Sequence, residues 1–400
     1  MTSRINVGWL ALAFACLIGV YAAGLRPDAV MSGFPISLFI TLTGVTLLFA
    51  LAEANGSLEA LASRGVRLAR GRAVMIPVLF FAIACALSSV GPGAVSTVAL
   101  LAPLAMAMGQ RAAIPPLLTA LMIANGANAG NLSPVSAVGI IANNAMAKAG
   151  LTGFAGRLWF ANFAAHVLVA SAAAAAFLWT GRHRASPLST AAPSIAPAAV
   201  SRAQLLTLLV IAAWIAGVIG LGFNLGLSAF AFAAVILLCN ASDESSAVKR
   251  MPWGIIMMVC GVSVLIALLE KTGGMDLFTD LLARTASPRT LNGVIAFVTG
   301  AISTYSSTSG VVLPTFLPTA TTLVEKVGGG DPLAVALSIA IGSHLVDVSP
   351  LSTIGALCVA AVADATTGRM LFRALLVWGV TMIVVGALLC AIFVPIFAAR

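Results

Sequence analysis

The sequence predicts an all-α polytopic membrane protein made of two inverted repeats, each with a re-entrant helical hairpin and an interrupted transmembrane helix. Three observations predict it. Of 400 residues, 60% are hydrophobic and only 8% charged, whereas soluble domains carry about 25% charged residues. The apolar residues are gathered into long runs: Trp9–Ala23, Met31–Ala52 and Leu205–Ser242 hold no charge, and about 18 such residues cross roughly 30 Å of hydrocarbon. Finally, the first half of the chain returns, in order, in the second.

Five blocks carry the repeat. Pro35–Glu53, ending GVTLLFALAE, matches Pro252–Glu270, ending GVSVLIALLE. Ala86-Leu-Ser-Ser matches Ala301-Ile-Ser-Thr, and Pro103 matches Pro318. Asn131–Gly139 (NLSPVSAVG) matches Asp347–Gly355 (DVSPLSTIG). Gly156-Arg157 and Gly368-Arg369 each precede a last apolar run.

Taken in order, unit one (1–180) holds helices at 7–24 and 34–54, a surface helix at 57–70, a hairpin at 73–108, an interrupted helix at 115–147 and a final helix at 158–179. A linker (181–203), rich in Pro, Ala and Ser from Gly181 to Ser201, marks the boundary. An extra transmembrane helix (204–223) then inverts unit two (224–400). Its elements fall at 224–241, 252–270, 274–287, 292–325, 332–363 and 372–396. The expected total is about nine spanning helices plus two hairpins. Arg4 precedes the first run, no Ala-x-Ala cleavage site follows it, and the segment is read as a retained helix. Lys and Arg are more numerous on the side that puts the N-terminus in the cytoplasm. Trp9, Trp159, Trp179 and Trp253 suit the two interfaces. The formal charge of +9 then faces anionic lipid rather than nucleic acid.

Four segments at membrane depth are too polar or too rich in Gly and Pro to face lipid, and they occur as matched pairs. They are the hairpin tips Ser88–Gly93 and Ser303–Gly310 and the interruptions Asn125–Ser136 and Gly342–Thr353. Irregular backbone at this depth lines a cavity or is buried in protein. Broken helices expose N–H groups to anions and carbonyls to cations, and Pro134 and Pro350 suit the first turn of a new helix. Single segments of this kind favour close packing or a simple kink; four in matched pairs point to a transporter site. The candidate substrate-binding residues are Ser88, Ser89, Asn131, Ser133, Ser136, Ser306, Ser307, Thr308, Ser349, Ser352 and Thr353. The candidate ion-coupling residues are Gly91, Gly93, Asn128, Gly130, Ser309, Gly310, His344 and Asp347, with sodium expected at the hairpin tips and helix breaks. Asp347 either binds a proton or cation or caps the broken helix; the sequence leaves both open. His344 is read as hydrogen-bonded filler over proton relay, His166 as a packed polar residue, and Glu53 and Glu270 as interfacial.

The stretch from GFPISLFITLTGVTLLFALAEANGSLE through SSVGPGAVSTVALLAPLAMA to NGANAGNLSPVSAVGIIANNAMAKAG resembles the malonate/dicarboxylate carrier (MatC-type) family over most of residues 30–155. The paired hairpins and breaks resemble the wider ion transporter superfamily, which includes divalent anion:sodium symporters. The resemblance implies secondary active transport of a small dicarboxylate of the malonate/C4 class, sodium-coupled, by an alternating-access elevator motion in a homodimer of the bacterial inner membrane. Symporters of that group carry Ser-Asn-Thr at each tip. Here the tips read Ser88-Ser89-Val90 and Ser306-Ser307-Thr308, without the Asn.

Three alternatives were weighed. A cation/proton antiporter or organic-anion exporter on the same scaffold would give Asp347 the central role. A membrane subunit of a binding-protein-dependent transporter would need a partner subunit. An intramembrane enzyme is not expected, because the three histidines show no HExxH spacing. No nucleic acid partner is expected, and no cofactor beyond Na+ as coupling ion. The six cysteines stand singly without CxxC spacing and read as apolar filler.

Overall fold

The computed structural model describes residues 5–66, 75–91, 93–179, 200–304, 306–362 and 364–395. The linker predicted at Gly181–Ser201 lies almost wholly outside the described residues, as do the end of the predicted surface helix, the first residues of the first hairpin, Pro92 and Tyr305.

The elements of the first half are α1 (Val7–Cys16), continued by a π-helical stretch Leu17–Ala22, then α2 (Pro27–Met31), α3 (Ile36–Ala54) and α4 (Ser57–Val66). The predicted hairpin is α5 (Met75–Val90) with α6 (Gly93–Arg111). The interrupted helix is α7 (Pro116–Gly130) with α8 (Ala137–Lys148), and α9 (Ala155–Trp179) follows. The extra helix is α10 (Arg202–Leu221), opened by a capping box of Ser201 and Gln204.

The second half gives α11 (Leu225–Leu238), α12 (Glu244–Arg250), α13 (Trp253–Lys271), α14 (Gly274–Ala283) and α15 (Leu291–Ser303). The returning arm of its hairpin is broken into a π turn Thr308–Val312, α16 (Leu313–Phe316), a 3₁₀ turn Leu317–Thr319 and α17 (Ala320–Val327). Pro314 and Pro318 each remove an N–H from this arm, whereas its counterpart α6 absorbs a single Pro103. Then follow α18 (Pro332–Val346), α19 (Thr353–Ala360) and α20 (Ala365–Ile392). Elements thus recur in the order the repeat requires. Two short helices, α2 and α12, were not predicted. The last helix starts at Ala365 rather than 372, because Asp364 caps it by accepting from the Thr367 N–H at 2.7 Å.

Among the described residues, five helices are long and apolar enough to cross a membrane: α3, Gly93–Gln110 of α6, α9, α13 and α20. The other predicted spans are made of shorter apolar helices. At 1.5 Å per residue the 14 residues of α11 reach only about 21 Å. Each interrupted helix divides its span between two short pieces. Trp9, Trp179 and Trp253 are exposed at helix ends, as an interfacial role requires.

Packing crosses between the halves. Helix α3 of the first half lies along α11 of the second, and α13 of the second along α1 of the first. Within each half, α5 packs on α7 and α15 on α18. Two large apolar cores result. One gathers α3, α5, α6, most of α7 and α11; the other gathers α9, α15, α16 and α18. Both interrupted helices meet both cores near their breaks, and α8 touches the first through Ala137, Ile140 and Ile141 and the second through Val138, Ala142, Ala145 and Met146. Ala127 belongs to the first core and Leu132 to the second, while Val346 belongs to the second and Val348 to the first. The two breaks therefore sit on the seam.

Candidate functional site

The two breaks are built alike. Asn131 ends α7 and Asp347 ends α18, each donating its backbone N–H to the carbonyl three residues back, Asn128 at 3.2 Å and His344 at 3.1 Å. After each comes Ser-Pro-x-Ser. Ser136 caps α8 by accepting from Gly139 N–H at 3.0 Å and donates to the Asn131 carbonyl. Ser352 does the same for α19, accepting from Gly355 N–H at 3.5 Å and donating to the Asp347 carbonyl. The turn is so tight that a Cβ on Gly139 would stand 1.8 Å from the Ser133 carbonyl oxygen, and one on Gly355 2.2 Å from that of Ser349. Glycine is required at both.

Both breaks are tied to the hairpin of their own half. Asn131 Oδ1 accepts from Ala94 N–H at 2.9 Å, holding the first turn of α6, and the Gly91 carbonyl accepts from Ala137 N–H at 3.2 Å. Gly93, with φ of 76°, makes the bend between them. In the second half the Asp347 side chain stands within hydrogen-bonding reach of the Thr308 and Ser352 hydroxyls. Thr308 also meets Ser303, whose hydroxyl reaches the Ser343 carbonyl at 2.9 Å. Ser307 caps the π turn through Gly310 N–H at 3.0 Å.

A cavity of about 50 Å³ lies on the seam, and all four irregular segments reach it. Gly93 brings the first tip, Asn131 the first break, Ser309 the second tip and Asp347 the second break; α3 adds Thr46 and the start of α13 adds Pro252. The first residues of α6, α8, α13 and the π turn all face this space. Helix N-termini carry about half a positive charge each. Among the described residues no Lys or Arg lines the cavity, and Asp347 is the one ionisable residue that does. Its walls thus combine oriented N–H dipoles, hydroxyls and a single carboxyl.

The other predicted residues fall around it. Ser88 is buried, with its hydroxyl unpaired among the described residues. Ser89 packs against Gly130. Ser133 and Ser349 are buried, Ser349 against Gly379 of α20. Gly310 packs on Met258. Ser306 is half-buried, and Thr353 is exposed on the first turn of α19. Gly91, Asn128, Gly130, Gly310 and His344 do not line the cavity.

Asn128 and His344 join instead a fully buried polar junction of α7, α9 and α18. Asn162 donates to the Asn128 carbonyl at 2.8 Å, Asn128 donates to the His344 carbonyl at 3.4 Å, and His166 Nδ1 meets Asn125 Oδ1 at 2.9 Å. The His344 Nδ1 bonds the Ala340 carbonyl at 2.8 Å; a carbonyl only accepts, so Nδ1 carries the proton. His344 and His166 are both buried, each bonded through Nδ1. Sequence reasoning passed over Asn162 and Asn125 as partners. The signal was there: Asn125 and Asn128, and Asn162 and His166, are spaced to share one helical face.

Residues 1–131 match the dicarboxylate carrier protein MatC N-terminus. No curated protein matches the chain in sequence. The fold is similar to the crystal structure of the Alcanivorax borkumensis YdaH transporter, described as having an unusual topology. The TM-score is 0.59 at 14% identity, covering 97% of this chain and 96% of that one. The resemblance read from residues 30–155 agrees with this family match over residues 1–131, and the all-helical fold is similar to that of a solved transporter.

Proposed function

We propose that the chain is a secondary active transporter that takes up a small dicarboxylate of the malonate/C4 class with sodium, by alternating access. The observation that carries this reading is the seam cavity, where helix N-termini from both halves face one space with no Lys or Arg among its described lining residues. Such a space attracts an anion without neutralising it permanently. A cavity of about 50 Å³ holds one or two waters, far below the roughly 300 Å³ of a ligand pocket. Binding then requires the walls to part, which fits an occluded stage of an alternating cycle. The hairpins are read as re-entrant, the two halves as inverted repeats, and the moving unit as an elevator in a homodimer with its N-terminus in the cytoplasm of a bacterial cell. For sodium, the oxygens that suit a hard cation are the buried, unpaired Ser88 hydroxyl and the carbonyls of the breaks.

The test is uptake of labelled malonate, malate and succinate into proteoliposomes, with and without an inward sodium gradient. Sodium-dependent accumulation of one of them is expected. No uptake of any, from protein shown to be folded, would sink the reading. A proton-coupled antiport or export reading is favoured by one observation, that Asp347 is the one ionisable group among the cavity's described lining residues. Unchanged coupling in Asp347→Asn removes it.

A further inference from the structure

Two very small cavities continue from the seam cavity toward the surface. The first shares Thr46, Ser96 and Pro252 with it and ends at Glu53 and Arg250. The second shares Ser96 and Glu53 with the first. It is lined by Thr97, whose buried hydroxyl has no partner among the described residues. Each holds about 10 Å³. They trace a closed path from the centre to the end of α3.

At the outer end stands an ion pair between the halves. Arg250, the last residue of α12, meets Glu53 of α3 at 3.3 Å through Nη1. Both are partly open to solvent, the Arg250 side chain 49% exposed and that of Glu53 31%. A guanidinium can present two parallel N–H donors to one carboxylate, and here one nitrogen is used. Arg250 is also two residues from Pro252, which lines the central cavity itself.

We propose that Arg250 is an outer carboxylate-binding subsite, and that Glu53 occupies it as an internal stand-in when no substrate is present. This rests on the dicarboxylate reading above. An arriving substrate carboxylate displaces the chemically equivalent Glu53 carboxylate from the guanidinium, unclasps α3 from α12, and passes along Ser96 toward the helix N-termini. No Lys or Arg is among the described residues that line the centre, so the steering charge stands outside it, where it does not trap the anion.

The two residues then have opposite effects. Arg250→Ala should raise KM for malonate about ten-fold, the scale of one charged hydrogen bond, and Arg250→Lys should recover part of this. Glu53→Gln, by removing the competitor, should lower KM. A clasp with only a structural role would move both in the same direction, and that result overturns the proposal.

A second arm needs no substrate. In a Ser96→Cys background, the rates of modification by anionic and cationic methanethiosulfonates are compared. Arg250 should favour the anionic reagent; the ratio should fall at least several-fold in Arg250→Ala, persist in Arg250→Lys and rise in Glu53→Gln. Equal changes for both reagents would mean simple opening of the path and overturn the subsite. If malonate is not transported but the ratio behaves as stated, the subsite stands and only the substrate class falls.

Discussion

Asn131 and Asp347 occupy matched positions with different chemistry. The neutral side chain is spent on the backbone of α6, through Ala94 N–H. The acidic one reaches hydroxyls and faces the cavity. The two matched breaks thus carry one ionisable side chain between them. The glycines at the breaks show how little freedom this frame has. A methyl on Gly139 or Gly355 would enter van der Waals contact with a carbonyl of the turn preceding it. Gly139→Ala and Gly355→Ala should each cost several kcal/mol, on the scale of severe overpacking. Gly156→Ala and Gly368→Ala, where nothing lies within 4 Å, should be near neutral. Thermal melts of the four purified variants check this; similar melting temperatures for all would mean that the turns can relax.

At the scale of elements, helix ends do most of the organising. Serine caps open α8 and α19 at the breaks, and aspartates open α12 and α20 at the surface. The Asp364 carboxylate accepts from the Thr367 hydroxyl and N–H, both at 2.7 Å, and these bonds hold it below the ordinary value of 3.8. A carboxyl depressed in the folded state stabilises above its unfolded pKa, and the contribution is lost as pH falls through the folded one. Between pH 6 and pH 3 the wild-type melting temperature should therefore fall more than that of Asp364→Asn, which keeps an acceptor but does not titrate. Parallel curves would assign the acid sensitivity elsewhere. The clasps between halves also recur. Arg250 of α12 holds the end of α3 through Glu53, and Lys271 of α13 holds α2 through the Ala29 carbonyl at 2.6 Å and Ser32 at 3.1 Å.

Across the whole molecule, both interrupted helices meet both cores near their breaks, and the breaks sit on the seam. If both halves serve one site, bulk added from either side should act alike. Ala137→Phe from the first half and Ser309→Phe from the second both project from cavity-lining positions. Each should abolish malonate uptake while leaving protein in the membrane. Full uptake in one of them would mean that the halves hold separate sites.

Much of this was legible in the chain itself. Uncharged runs of spanning length, the second copy of each block and the Ser-Pro-x-Ser breaks are local patterns. Their physics, burial in lipid, missing N–H groups and serine capping, acts over one turn of helix. By itself the sequence determined an all-helical membrane protein, the order of its elements and the four segments that break the helical rule. Only the tertiary structure decided that Asn131 and Asp347 reach one cavity, Asn131 while bonding Ala94, that Asn125, Asn128, Asn162, His166 and His344 share one buried junction, and that Arg250 stands one small cavity from the centre opposite Glu53. The contacts among them range from 34 residues apart, Asn128 with Asn162, to 216, Asn128 with His344. Their contact depends on how two nearly equal units cross-pack, and no spacing along the chain encodes that.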